Sequence, residues 1–235
     1  FFFLPDTIVR FRRFVFDREV GKEMILNGSS EFIGEMASAI SMFAFNYVLM
    51  KYVGADGVAA FTILGFVVYG YSMVCIGFGQ GISPIVSICW GAKEKETAIK
   101  IRSITNRILL AIGTLTALSF FVAGKRYAEI FGCSNSIADM VATGFRIYAI
   151  TFLVMGYDVT GSMYFTSCGD AKSSAIISSL RGIVLLLAFI LIFPAIFGMN
   201  GVWMASPFAE TLTSIVTFVL IRRQVRKNKE EENAR

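Results

Sequence analysis

Long apolar runs alternate with short clusters of charge along this chain. Residues 57–92, 108–124 and 182–209 contain no Asp, Glu, Lys or Arg. A helix needs about 20 apolar residues to cross the ~30 Å hydrocarbon core of a bilayer. The pattern therefore predicts six spans, at 28–50, 57–90, 103–124, 144–167, 174–197 and 201–221, with the turn Gly54-Ala55-Asp56-Gly57 between the first two. The second is too long for one upright crossing and is expected to tilt or protrude. Pro84, with Gly65, Gly70, Gly77, Gly79 and Gly81, marks it for bending. Residues 128–143 are weakly amphipathic and predict a surface-lying segment. At the start, Phe1-Phe2-Phe3-Leu4-Pro5 reads as the tail of an earlier hydrophobic segment of a longer protein. Residues 6–27 then form an amphipathic cytoplasmic stretch suited to the membrane interface or to a linker between two bundles. Residues 223–235 read as a charged cytoplasmic tail.

Composition agrees with the pattern. Of the 235 residues, 55% are hydrophobic and 17% charged, against near 25% charged in soluble domains; the mean hydropathy is +0.66. This excludes a disordered chain, a nucleic-acid-binding domain and a secreted disulfide scaffold. The net charge of +5 fits basic cytoplasmic loops instead. Of the 22 Lys and Arg residues, 18 fall on one side of the six crossings, Arg102, Arg107 and Arg181 among them. Lys51, Lys125, Arg126 and Arg146 fall on the other. The asymmetry predicts a multi-pass membrane protein with both ends of the segment cytoplasmic. Cys75, Cys89, Cys133 and Cys168 show no CxxC spacing and read as packing residues.

No catalytic constellation is present in the sequence. Without histidine there is no Ser-His-Asp triad and no HExxH zinc site. No Walker loop occurs, and the glycine-rich Gly77-Phe78-Gly79-Gln80-Gly81 lies inside a hydrophobic span. An enzyme, a cofactor and a resident metal are therefore not expected.

The chemistry-bearing residues are acids inside apolar spans, where an unpaired charge costs several kcal/mol. They are Glu31 and Glu35 in the first span, Asp158 in the fourth and Glu210 in the last. Glu31 and Glu35 share a helix face with Ser38, Met42 and Asn46. Glu31 sits near the span's end, where solvation accounts for it. Asp158 is close to mid-span, and its face carries Tyr157, Gly161, Ser162 and Phe165, a mix suited to lining a cavity. One reading makes Asp158 and Glu35 binding sites for a transported proton or cation, with Glu31, Asn46, Gln80, Tyr157 and Ser162 as cavity-lining candidates. The other has these acids bonding to hydroxyl groups of neighbouring helices. For Glu210, two residues after Ser206-Pro207-Phe208, a structural role is expected. Phe66, Tyr69, Tyr71 and Phe78 suit either packing or cation–π contacts with a flat cationic molecule.

Four stretches resemble multidrug and toxic compound extrusion (MATE) transporters. Gly28-Ser29-Ser30-Glu31-Phe32-Ile33-Gly34-Glu35, with Phe45-Asn46-Tyr47-Val48-Leu49 and Gly54-Ala55-Asp56-Gly57-Val58-Ala59-Ala60, is similar to the family's seventh helix and following turn. Gly77-Phe78-Gly79-Gln80-Gly81-Ile82-Ser83-Pro84-Ile85-Val86-Ser87, then Trp90-Gly91-Ala92, resembles the end of the eighth. Ser162-Met163-Tyr164-Phe165-Thr166-Ser167-Cys168-Gly169-Asp170-Ala171-Lys172 resembles the end of the tenth. Gly198-Met199-Asn200-Gly201-Val202-Trp203-Met204-Ala205-Ser206-Pro207 resembles the start of the twelfth.

The resemblance implies an all-α membrane protein whose six transmembrane helices form the C-terminal lobe of a twelve-helix transporter. It further implies an N-terminal lobe as partner, an amphiphilic substrate such as an organic cation, and exchange for sodium ions or protons. Some relatives keep coupling acids in the seventh and tenth helices. Glu35 and Asp158 lie in those helices, displaced by about a turn. A lipid-linked oligosaccharide flippase of the same superfamily and a non-transporting membrane scaffold are the alternatives. An isolated lobe would expose its polar face and is expected to self-associate.

Overall fold

The computed structural model describes residues 17–233. Seven α-helices account for nearly all of them: α1 (Arg18–Tyr52), α2 (Ala55–Gly91), α3 (Lys95–Glu129), α4 (Asn135–Ser167), α5 (Ala171–Ser179), α6 (Leu185–Phe197) and α7 (Met199–Asn233). A π-helical turn, Leu180–Val184, joins α5 to α6 in one continuous rod. Short polar corners set the boundaries. The Asp17 carboxylate accepts from the amides of Glu19 (2.9 Å) and Val20 (3.3 Å). Ser134 caps α4 through the amide of Ile137, and Asp170 caps α5 through that of Ser173, each satisfying a donor the helix start leaves free. Gly198 takes a left-handed φ of +56°, a conformation open to glycine, so that α7 doubles straight back along α6. Gly201 then lies under the Phe193 carbonyl, where a Cβ would come within 2.2 Å.

Among the described residues, α2, α3, α4, the α5–α6 rod and α7 are long and apolar enough to cross a membrane. The first expected span, 28–50, lies within α1. That helix also takes in residues 18–27 of the expected linker, because the cap at Asp17 starts it there; residues 1–16 lie outside the described chain. The expected surface segment at 128–143 is instead the abutting ends of α3 and α4, tied by Lys125 and Asp139 at 2.6 Å. The expected tail continues α7 as helix as far as Asn233. The four cysteines are free thiols, with Cys75 and Cys89 buried.

Helix α4 is the hub. It packs against α2, α3, α5 and α7, and its second half is buried on nearly every face. One apolar core joins α2, α3 and α4, with Leu64, Leu109, Phe145 and Phe152 fully enclosed and Trp203 of α7 closing it. A second lies at the end bearing Lys95, Ser167 and Gln224, here called the basic end, around Val86, Tyr164, Phe165 and Ile177. A third ties α1 to α6 and α7 through Phe45, Leu49, Ile190 and Val202. Small residues allow the close approach that membrane helices use in place of a hydrophobic driving force. A Cβ on Gly113 of α3 would sit 2.1 Å from the Phe152 carbonyl oxygen of α4, and one on Gly161 of α4 would sit 2.6 Å from Thr217 Cγ2 of α7.

Candidate functional site

The Gly161 contact lets α7 lie directly over Asp158, which has no exposed surface. Ser214 donates to Asp158 Oδ2 at 2.7 Å, and Thr217 Oγ1 lies 2.8 Å from Oδ1. Thr217 Oγ1 is also 3.0 Å from the Thr213 carbonyl. A hydroxyl carries one proton, so it cannot donate to both oxygens at once. With Asp158 ionised, Thr217 donates to Oδ1. With Oδ1 protonated, the carboxyl donates to Thr217, which turns its own proton to Thr213. The same heavy-atom geometry therefore accommodates the loaded and the unloaded acid.

One turn away on the same stripe of α7, Glu210 accepts from Arg181 Nε at 2.7 Å. Its other oxygen, Oε2, is buried without a hydrogen-bond partner. Arg181 belongs to the π turn, a local irregularity found often at functional sites. Ser41 of α1 donates to the Gly182 carbonyl of that turn at 2.6 Å. The basic-residue tally counts Arg181 with the cytoplasmic charges; in the structure its half-buried side chain lies along the rod with Glu210 as its counter-charge. Arg102 is interior. Its guanidinium lies 5.7 Å from the Tyr157 ring and 5.4 Å from that of Tyr164, with Nε and Nη1 unpaired.

The sequence-predicted residues do not converge on one cavity. Tyr157 faces Arg102. Ser162 joins a hydroxyl cluster with Ser174 and Ser178 of α5, at 2.9 Å each. Asn46 donates to the Met42 carbonyl of its own helix, and Gln80 is exposed on α2. Glu31 and Glu35 lie on the path of α1, with side chains outside the described set. The face of Asp158 is packed against α7 because Gly161 admits Thr217 there. Tyr71 is core, its hydroxyl donating to the Leu109 carbonyl at 3.1 Å. Phe66 stacks on Phe131, while Tyr69 is exposed. A cavity of about 370 Å³, lined by Asp139, Met140, Asn200 and Trp203 among others, opens at the end opposite the basic one.

Sequence reasoning missed Ser214 and Thr217, the partners of Asp158, and Arg181, the partner of Glu210. A signal was available for Arg181. It is a lone cation inside a predicted span and shares the bilayer with a lone acid, Glu210, in the next.

The described helices form an all-helical, multi-pass bundle with ionisable groups enclosed in its crossings, the class of a polytopic membrane protein. The family model MatE matches residues 32–193, and the chain belongs to that family. That family is one of transporters, not enzymes. It is 19% identical over 87% of its length to the multidrug export protein MepA of Staphylococcus aureus, covering 45% of that protein. It is 26% identical over 76% of its length to the probable multidrug resistance protein YoeA of Bacillus subtilis, covering 39% of it. The solved outward-facing conformation of a multidrug resistance MATE family transporter superposes with a TM-score of 0.83 at 22% identity, over 96% of this chain and 51% of that one. A transporter of the MOP superfamily from Pyrococcus furiosus superposes at 0.82, also with 22% identity, over 95% and 51%. The chain thus spans about half the length of the relatives it matches, as one six-helix half of the MATE fold.

Proposed function

We propose that this chain is the C-terminal lobe of a secondary active exporter in the bacterial plasma membrane, with both of its ends cytoplasmic. It works with an N-terminal lobe to expel organic cations or other amphiphiles in exchange for protons or sodium ions. Asp158 is the acid that loads the coupling ion. The observation that carries this reading is a fully enclosed carboxylate at mid-span whose hydrogen-bond partners are two hydroxyls, one of them able to serve either protonation state. An ionised carboxylate there is costly in hydrocarbon, by about 2.5–3.5 kcal/mol at a helix centre. Neutralising it with a proton or a monovalent cation changes the energy of burying the α4–α7 contact. Rocking between two lobes converts that difference into alternating access.

The test is ethidium efflux from cells expressing the two-lobe protein, wild type against Asp158→Asn at matched abundance, with proton and sodium gradients imposed in turn. The expected result is efflux driven by one of the two gradients and its loss in the variant. Full gradient-driven efflux by Asp158→Asn refutes the assignment.

A further inference from the structure

Two buried acids, Asp158 and Glu210, and one half-buried cation, Arg181, meet where α4, α7 and the π turn pack together. Glu210, Ser214 and Thr217 follow one another at i, i+4 and i+7 along α7, and the last two hold Asp158. Neighbours at that spacing are about 5–6 Å apart, so the Asp158 and Glu210 carboxylates occupy adjacent turns of one stripe. Arg181 approaches from the π turn, and its Nε meets Glu210 Oε1. Glu210 is 5% exposed, yet its Oε2 has no hydrogen-bond partner. The other titratable groups around this stripe are Tyr71 and Cys75 of α2 and Tyr148 and Tyr157 of α4, phenols and a thiol that are ordinarily uncharged at neutral pH. The stripe thus holds two potential negative charges against one fixed positive one; the other enclosed cation, Arg102, faces the rings of Tyr157 and Tyr164.

We propose that Arg181 is the internal counter-ion of this stripe: it permanently neutralises one acid, leaving a single negative charge that accepts one monovalent cation at a time. The proposal rests on the reading of Asp158 as the loading acid and adds the residue that sets how many ions the stripe takes. Arg181 lies in the π turn, which Ser41 of α1 ties down by donating to the Gly182 carbonyl. Guanidinium suits the role because it stays protonated at every accessible pH. The unpartnered Oε2 shows that Glu210 is held by Arg181 alone, so the pair responds directly to the charge on its neighbour.

The experiment uses the two-lobe protein in liposomes, with ethidium as the probe under the gradient that drives the wild type. The variants are Arg181→Gln, Glu210→Gln, the double Arg181→Gln/Glu210→Gln, Arg181→Lys and Asp158→Asn, all at matched monodisperse protein. Arg181→Gln leaves two uncompensated negative charges and Glu210→Gln leaves none. Each is expected to lower gradient-driven transport by at least about tenfold, the scale of losing one hydrogen bond between charged groups. The double variant restores one negative charge and should recover most of the wild-type rate, and Arg181→Lys should retain it. Wild-type rates in both single glutamine variants overturn the proposal. So does a double variant no faster than the singles, or a folded Arg181→Lys protein that does not transport. If Asp158→Asn transports normally, the loading-acid reading fails whatever the Arg181 series shows. If Asp158→Asn is inactive and the double variant is not rescued, only the counter-ion proposal fails.

Discussion

Replacing Gly161 with alanine tests whether the α4–α7 contact holds Asp158 in its working geometry. The new Cβ would meet Thr217 Cγ2 at 2.6 Å, whereas carbon atoms in contact settle near 3.5–4.0 Å. Relief requires about 1 Å of separation between the helices, or rotation of the Thr217 side chain. Separation by that amount takes the 2.8 Å contact from Thr217 to Asp158 Oδ1 to roughly 3.8 Å, beyond hydrogen-bonding range. Rotation removes it altogether. A hydrogen bond to a charged group contributes about 1.5–3 kcal/mol, which corresponds to a ten- to hundredfold change in an equilibrium. Gradient-driven ethidium transport by the two-lobe protein should fall on that scale. Thr217→Val, which deletes the hydroxyl while keeping the side chain's volume, should fall comparably without moving α7. The assay is transport in liposomes alongside thermal unfolding in detergent. Gly161→Ala protein that transports and melts like the wild type, beside an impaired Thr217→Val, would refute the packing argument.

Two further outcomes follow from the same contacts. Ser41→Ala removes the donor to the Gly182 carbonyl, so the unfolding midpoint should drop by an amount equivalent to about 0.5–1.5 kcal/mol, read by thermal unfolding against wild type. Gly113→Val forces α3 off the Phe152 carbonyl of α4, which a single Cβ already approaches to 2.1 Å. It should cost at least about 1–3 kcal/mol, seen as a lower midpoint and loss of monodisperse protein on gel filtration.

Much of the fold was legible in the sequence because lipid leaves backbone polar groups no partner outside a helix. Charge-free runs thus translate directly into rods; the turn at Gly54 falls where expected, and the one at Gly198 falls between the fifth and sixth expected spans. The helix ends were less legible. Residues 128–143 look amphipathic, but the Ser134 cap and the Lys125–Asp139 pair turn them into the ends of two spans. Asp158 stood out as an acid in an apolar helix. Its partners did not, because Ser214 and Thr217 are ordinary back-bonding hydroxyls in sequence and gain their role only when Gly161 draws α7 close. The pairing of Arg181 was missed for a related reason: tallies of basic residues cannot tell a loop charge from one paired across two helices. The aromatic and polar candidates Gln80, Asn46 and Tyr157 scattered because residue type carries no information about which helix face is covered.

The hub position of α4 also bears on the order in which the chain is made. The hydroxyls that hold Asp158 lie 56 and 59 residues further on. At roughly 5–20 residues per second, about 3–12 s separate synthesis of the acid from synthesis of its partners. Through that interval α4 has neither α7 against its side nor a donor for its carboxylate. Retention of α4 at the insertion site, or protonation of its acid, until the last helix arrives would avoid an unpaired charge in hydrocarbon. Completion of this lobe thus depends on its C-terminal helix, and truncation ahead of Ser214 removes both donors that Asp158 has in the full chain.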